Sequence, residues 1–156
     1  MSGPARIAVA GAGLIGKRHI EAIAVAEGAE LHSIVDPSEA GRSYANQISA
    51  KWYPSLAAAF EAGKPDGAIL ATPNQLHVEN GLACVAAGVS ALVETPLATD
   101  LQAGRDLVAA GERSGVPLLV GHHRRHNPLI AAAKSQIDKG LLGKLVAVHG
   151  MFWLMK

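Results

Sequence analysis

The sequence has 156 residues, of which 49% are hydrophobic and 4% aromatic, and its formal net charge is +1. This length suffices for one domain with a substantial core, and the near-neutral charge predicts neither nucleic-acid nor membrane binding. No apolar run reaches the ~18 residues of a membrane span, and the first residues lack the basic and apolar regions of a signal peptide. The sequence has a single cysteine, Cys84, which excludes an intramolecular disulfide and is expected to be a buried, inert thiol. A lone cysteine is compatible with a reducing compartment, and we predict a cytoplasmic location.

Short apolar runs alternate along the chain with segments that have helical periodicity. The predicted strands are 6–10, 31–35, 51–53, 67–71, 91–93 and 116–120. The predicted helices are 14–27, 39–48, 54–60, 76–87, 99–114 and 129–139, and an apolar, β-prone tail follows over 145–155. Because strands alternate with crossover helices, the sequence predicts an α/β fold with a Rossmann-type, doubly wound parallel sheet.

A glycine-rich turn follows the first predicted strand. Gly11, Gly13 and Gly16 have the spacing of a dinucleotide-binding fingerprint, with Leu14 and Ile15 between the last two glycines. The first glycine allows a sharp turn, the second lets a pyrophosphate approach the backbone, and the third lets the helix pack close to the strand. The N–H groups and positive dipole end of the following helix would then face the phosphates.

Asp36 directly follows the second predicted strand and lies about 20 residues beyond Gly16, as the fingerprint requires. A carboxylate there can accept the ribose hydroxyls of adenosine and would repel a 2′-phosphate, so it favours NAD over NADP as the cofactor. An acidic residue after the second strand also suits S-adenosylmethionine, and a methyltransferase is therefore a weaker alternative. The third glycine and the proline-containing segments after later strands argue against that alternative.

Polar segments containing glycine or proline follow five of the predicted strands. Because ligands bind at the carboxyl ends of parallel strands, all five segments are expected at one edge of the sheet. They are 11–16, 36–37, 72–74, 94–96 and 121–127.

These five segments together resemble the N-terminal domain of the glucose–fructose oxidoreductase / inositol dehydrogenase / rhizopine-catabolism family (Gfo/Idh/MocA). The matching motifs are GAGLIGKRH, the strand-end Asp36, ATPNQLH, ETP and GHHRR. The resemblance implies binding of NAD or NADP and hydride transfer to or from a sugar, polyol or related hydroxylated small molecule. It also implies a homo-oligomer, whereas the absence of nucleic-acid and membrane partners is expected from the near-neutral charge alone.

The resemblance also implies roles for individual residues. The turn 11–16 would hold the pyrophosphate, and Asp36 would hold the adenosine ribose. Four residues would line the central and nicotinamide-side part of the cofactor: Thr72, Pro73, Asn74 and His77. Glu94 would lie near the nicotinamide ribose, with Thr95 also in the cofactor site, and Arg124 and Arg125 would lie near the nicotinamide or the substrate. His126 is a further catalytic or substrate-binding candidate, whereas His19 and His32 are expected to be structural.

Thr95 departs from the family pattern. The family has Glu-Lys-Pro at 94–96, and its lysine is regarded as part of the catalytic group. Threonine has no charge, and loss of one positioned acid or base typically removes about 10²–10⁴ in rate. The alternatives are a slow or altered enzyme, recruitment of His123, Arg125 or His126 in place of the lysine, or cofactor binding without turnover, as in a sensor.

Length is the second departure from the family. A family member continues into a substrate domain that contains an open antiparallel sheet and a catalytic Asp and His. The sequence therefore predicts a cofactor domain over 1–122 and, over 123–156, the linker, helix and first strand of a truncated second domain. A truncated chain is expected to be inactive, and its apolar tail is expected to be disordered or to pair with another copy.

His122, His123 and His126 lie close together in the sequence, which raises the question of a metal site. Their spacing is not that of a closed zinc set, and no cysteine lies near them. The glycine and arginines of the family pattern account for this segment without a metal, so no metal is predicted.

Overall fold

The computed structural model describes residues 3–151. The chain divides into two compact units between Gly121 and His122. The first unit contains a six-stranded sheet in the order β3-β2-β1-β4-β5-β6, in which every neighbouring pair is parallel. Its strands are β1 (Ala5–Ala10), β2 (Ala29–Val35), β3 (Trp52–Tyr53), β4 (Gly67–Leu70), β5 (Ser90–Val93) and β6 (Leu118–Val120).

Five α-helices connect these strands. They are α1 (Leu14–Val25), α2 (Glu39–Gln47), α3 (Leu56–Ala62), α4 (His77–Ala87) and α5 (Leu101–Ser114), with a short 3₁₀ helix over Asn74–Leu76 before α4. Three of the helices begin at side-chain caps. Ser38, Ser55 and Asp100 each accept a hydrogen bond from the backbone N–H three residues later, which satisfies one of the unpaired N–H groups at a helix start. The predicted Rossmann-type α/β fold is confirmed.

Two cores lie on opposite faces of the sheet, because successive strand residues point to opposite sides. Val9 and Ile34 pack with Ile20 and Ile23 of α1. The next residues along β1 and β2, Ala10 and Val35, belong to the other core, which contains Leu70 and Val93 and residues of α3 and α4. The sheet is therefore covered by helices on both faces, as a doubly wound fold requires.

Cys84 lies in the second of these cores and is fully buried. Burial raises the pKa of its thiol to about 12. Because the thiolate is the reactive form of cysteine, Cys84 is an inert core residue.

The second unit contains a 3₁₀ helix over His123–His126 and α6 (Pro128–Asp138). The Asn127 side chain accepts a hydrogen bond from the Leu129 N–H at 2.9 Å and so caps α6. Residues 145–151 have no regular secondary structure in the described part of the tail, so the strand predicted there is not formed over that range. Strands are stabilised by pairing with a neighbour. The remainder of the predicted apolar tail, 152–155, lies outside the described residues, and pairing with another copy stays a prediction.

Candidate dinucleotide-binding site

The carboxyl ends of five strands are aligned in register. Ala10 pairs with Val35 on one side and Leu70 on the other, Leu70 pairs with Val93, and Val93 pairs with Val120. The residues that follow directly are Gly11, Asp36, Ala71, Glu94 and Gly121. One edge of the sheet thus brings together the first residues of four strand-end segments and Ala71, which directly precedes the remaining one.

Gly11 and Gly16 are required by close packing. Gly11 has a φ of +91°, and a Cβ placed on it would collide with the carbonyl group of Ala71. A Cβ on Gly16 would collide with the carbonyl oxygen of Gly11. The turn therefore lies directly against the end of β4 and against the first turn of α1.

Gly13 differs from these two glycines because it faces open space. A Cβ on Gly13 would have no heavy atom of the described residues within 4 Å. Its φ of −73° and ψ of −169° are accessible to any residue. Gly13 is also the N-cap of α1, which has no side-chain cap and no acidic residue in its first turn. The first N–H groups of a helix lack intrahelical partners, so this open turn has the chemistry that fits a pyrophosphate.

The Asp36 carboxylate is held against the glycine turn. Its Oδ2 accepts a hydrogen bond from the Ala12 N–H at 2.7 Å. Its Oδ1 accepts from the Ser38 N–H at 2.8 Å and from the Ser38 hydroxyl at 2.5 Å. A carboxylate has about four acceptor positions, so these three bonds leave one acceptor position for a further donor such as a ribose hydroxyl.

The pKa of Asp36 lies below its usual value. Partial burial alone would raise this pKa, but the hydrogen bonds from the Ser38 hydroxyl, the Ala12 N–H and the Ser38 N–H stabilise the charged form and outweigh burial. Asp36 is therefore ionised at neutral pH, as an acceptor of ribose hydroxyls must be.

Gly41 is a site residue that the sequence analysis missed. A Cβ on Gly41 would lie 2.5 Å from both Cβ and Cγ of Asp36. The N–H of Gly41 also donates to the Ser38 hydroxyl oxygen at 3.1 Å. The bonds from Ser38 to Asp36 were not predicted either, although a serine two residues after an aspartate is a sequence signal for the turn that these two residues form.

His77 links the segments that follow β4 and β5. Its Nε2 lies 2.9 Å from the carbonyl oxygen of Thr72, and its Nδ1 lies 2.7 Å from the carbonyl oxygen of Pro96. The side chain is 1% exposed. The geometry therefore places the His77 ring beneath the strand-end segments, where it supports Thr72 and Pro96 through their backbone and does not present a ring atom at the surface.

The other predicted residues of these segments lie nearer the surface. Pro73 and Asn74 are exposed, and the Thr72 hydroxyl oxygen accepts a hydrogen bond from the Asn80 side chain at 3.2 Å. Thr95 is exposed and precedes a cis peptide bond to Pro96.

Glu94 forms two hydrogen bonds at the end of β5. Its Oε1 lies 2.8 Å from Nε2 of His19 on α1, and its Oε2 accepts from the Thr95 N–H at 3.2 Å. His19 was expected to be structural, and its pairing with Glu94 was not predicted because the two residues are 75 positions apart.

Arg124, Arg125 and His126 belong to the second unit, where they lie in its 3₁₀ helix and are exposed. Their predicted contacts with cofactor or substrate stay predictions. Among residues 3–151, no three His, Cys, Asp or Glu side chains come together as a metal-binding group. Over the same residues, no helix is long and apolar enough to cross a membrane.

The sheet order, the glycine turn and the strand-end carboxylate together define a Rossmann-type dinucleotide-binding domain. Residues 5–122 match the model of the Gfo/Idh/MocA oxidoreductase family, described as having an NAD-binding Rossmann fold. The chain belongs to this family.

Curated relatives extend well beyond the matched region. The chain is 32% identical to the rhizopine catabolism protein MocA of Rhizobium meliloti, over 95% of this chain and 47% of that protein. It is 33% identical to inositol 2-dehydrogenase 2 of Saccharopolyspora erythraea, over 93% of this chain and 44% of that protein. The chain thus spans less than half the length of these two relatives.

Solved structures have the same architecture. The WlbA dehydrogenase from Bordetella pertussis, in complex with NADH and UDP-GlcNAcA, superposes with a TM-score of 0.88 at 31% identity, over 92% of this chain and 42% of that one.

Proposed function

We propose that the chain is the cofactor-binding part of an NAD-dependent oxidoreductase that transfers hydride to or from a sugar, polyol or related hydroxylated small molecule. The observation that carries the proposal is the ionised Asp36 carboxylate, bonded to the glycine turn and left with one acceptor position. Relatives named as inositol dehydrogenases support the substrate class, and the NADH in the WlbA complex supports the cofactor.

The residues of the first unit suit the two halves of a dinucleotide. The Gly13 backbone and the start of α1 would hold the pyrophosphate, and Asp36 would accept a hydroxyl of the adenosine ribose. The negative charge of Asp36 would disfavour the 2′-phosphate of NADP. Bound NAD supplies the hydride acceptor, and the chain's own contribution is to hold and orient it.

Calorimetric titration of the full chain with NAD⁺ and NADP⁺ tests this proposal. We expect NAD⁺ to bind more tightly than NADP⁺. Asp36→Ala should weaken NAD⁺ binding by about tenfold or more, because a hydrogen bond to a charged group contributes ~1.5–3 kcal/mol. The control is Asp106→Ala, which removes the same charge from the exposed surface of α5. Absence of binding by either cofactor, or equal weakening by both variants, would contradict the proposal.

Thr95 supports a second candidate, an NAD-binding or sensor protein without turnover. The Thr95 side chain carries no charge with which to stabilise an alkoxide, and its backbone N–H is bonded to Glu94. Thr95→Lys, made in a chain that continues into a second domain of the family type, tests this candidate by NAD⁺ reduction with a panel of polyols. A gain of about 10²-fold or more would support impaired chemistry, whereas good activity that the substitution leaves unchanged would remove this candidate.

The assembly and location of the whole protein also remain predictions. For the whole protein we predict a small-molecule substrate as partner and assembly into a homo-oligomer. We also predict a cytoplasmic location, which the lone buried thiol of Cys84 supports.

A further inference from the structure

The hydrogen bond between His19 and Glu94 joins two parts of the candidate site that are distant in sequence. His19 lies on α1, three residues after the last glycine of the turn, and Glu94 directly follows β5. The two side chains are 25% and 20% exposed. A carboxylate only accepts hydrogen bonds, so the Nε2–H group of His19 donates a hydrogen bond to Oε1 of Glu94.

Glu94 is also restrained by the end of β6. A Cβ placed on Gly121 would lie 2.9–3.0 Å from the carboxylate carbon and both carboxylate oxygens of Glu94. The Thr95 N–H holds Oε2 from a third direction. The carboxylate is thus fixed by α1, by its own backbone neighbour and by the residue that follows β6.

The sheet order places Glu94 and Asp36 on opposite sides of the glycine turn. Asp36 follows β2, which neighbours β1 on one side, whereas Glu94 follows β5, which is separated from β1 by β4 on the other side. A dinucleotide whose pyrophosphate lies over the turn extends one ribose toward each side. Asp36 is on the side of the first ribose, so Glu94 is on the side of the second, the ribose that carries the nicotinamide.

From these contacts we propose that His19 is a positioning residue for the nicotinamide half of the cofactor. It holds the Glu94 carboxylate so that the acceptor positions not used by His19 and Thr95 receive the hydroxyls of the second ribose. This inference rests on the proposed function, because it requires a dinucleotide in the site. His19 acts through Glu94 and does not itself contact the reacting atoms.

A series of ligands of increasing length tests the role of His19 by binding alone. The full chain is titrated with AMP, ADP, ADP-ribose and NAD⁺, as wild type and as His19→Ala, His19→Gln and the control His32→Ala. His32 lies on β2, where its Nδ1 is hydrogen-bonded to the Ser33 hydroxyl. Thermal unfolding of each variant shows whether it is folded.

We expect His19→Ala to leave the affinities for AMP and ADP within about twofold of wild type. The affinities for ADP-ribose and NAD⁺ should fall by about tenfold, because the second ribose would lose one hydrogen bond to the charged Glu94 carboxylate. His19→Gln, whose amide also donates, should restore most of the loss. His32→Ala should not change the series.

Equal weakening of all four ligands by His19→Ala would overturn the inference, since it would indicate a general effect on α1. Unchanged affinity for ADP-ribose, or no recovery in His19→Gln, would overturn it as well. If the wild-type chain binds ADP and NAD⁺ in such an experiment, only the role of His19 is refuted and the proposed function is not. If the wild-type chain binds none of the four ligands, the proposed function itself is refuted.

Discussion

The Ala12 N–H donates a hydrogen bond to Oδ2 of Asp36 at 2.7 Å. The residue between the first two glycines of the turn is thus bound directly to the carboxylate that follows the second strand. The two parts of the fingerprint form a single hydrogen-bonded unit within the chain. A site arranged in this way has less conformational entropy to lose on binding.

The same contacts predict how Asp36 contributes to stability as a function of pH. The pKa of Asp36 is lowered in the folded chain, because the bonds from Ser38 and Ala12 outweigh burial. A carboxyl group with a lowered folded pKa stabilises the folded state above its unfolded value of about 3.9, and this contribution is lost as the pH falls toward the folded value. Asp36→Asn should therefore lower the free energy of unfolding at pH 7, and the difference from wild type should shrink below about pH 3.9.

Urea unfolding at pH 7 and at steps below pH 4 measures this difference. Asp106→Asn serves as the control for removal of a carboxylate from the surface of α5, and we expect it to change stability little. A difference between wild type and Asp36→Asn that stays constant from pH 7 to pH 3 would show that the hydrogen bonds do not stabilise the charged form.

Gly41→Ala should displace Asp36. A helical glycine replaced by alanine usually gains ~1 kcal/mol of helix propensity. Here the new Cβ would lie 2.5 Å from Cβ and Cγ of Asp36, so we expect lower stability and NAD⁺ binding weakened by about tenfold, as for loss of a charged hydrogen bond. Chemical denaturation and calorimetric titration measure the two effects.

Gly104→Ala is the matched control for Gly41→Ala, because Gly104 lies within α5 and its Cβ would meet only the Ala98 side chain, at 3.2 Å. We expect it to leave NAD⁺ affinity unchanged. If the Gly41→Ala variant binds NAD⁺ as tightly as the Gly104→Ala control, Asp36 can be displaced without loss of NAD⁺ affinity.

His77→Phe should destabilise the fold. The substitution keeps a ring of similar shape but leaves the carbonyl oxygens of Thr72 and Pro96 without the partners that His77 provides. Loss of one donated hydrogen bond to a partly buried carbonyl costs ~1–3 kcal/mol, and a neutral imidazole has a single N–H to donate. We therefore expect a loss of about 1–3 kcal/mol in the free energy of unfolding. Urea denaturation of the variant measures it, with His32→Phe as the control. A loss no larger than that of the control would show that the two contacts contribute little.

Local sequence signals predicted the fold, which the structure confirms, and they also predicted that the glycine turn and Asp36 form the centre of the candidate site. Alternating strands and helices and the glycine spacing are read within short windows, and Asp36 lies at a fixed distance from the turn. The packing of Gly41 against Asp36 could not be predicted from the sequence. A glycine inside a predicted helix indicates only low helix propensity until the residue that packs against it is known. The His19–Glu94 pair depends on tertiary packing across 75 positions.

His77 shows a different limit of sequence reasoning. Its place after the Thr72–Asn74 segment correctly associates it with the strand ends, but the sequence does not distinguish a ring that faces the surface from one buried beneath the backbone. The apolar tail shows a third limit. Val146 and Val148 favour strands, yet they are 93% and 82% exposed and are not in a strand, because strand formation depends on a pairing partner that sequence propensity does not provide.

Gly13→Ala and Gly11→Ala should separate binding from folding. Gly13 has a backbone conformation open to alanine and no heavy atom within 4 Å of a new Cβ, so we expect stability to change by less than ~0.5 kcal/mol. The methyl group would nevertheless occupy the space through which a pyrophosphate approaches the turn, and NAD⁺ affinity should fall by about tenfold or more. Gly11→Ala places a side chain at a φ of +91° and against the Ala71 carbonyl, which should cost ~1–3 kcal/mol or more of stability.

Urea unfolding and NAD⁺ titration of the same two variants provide the comparison. The decisive result is a Gly13→Ala chain as stable as wild type that has lost NAD⁺ affinity, because no heavy atom of residues 3–151 lies within 4 Å of the new methyl group and a bound ligand would meet it. If Gly13→Ala binds NAD⁺ as well as wild type does, the pyrophosphate does not lie over this turn, and the assignment of the site fails at its centre.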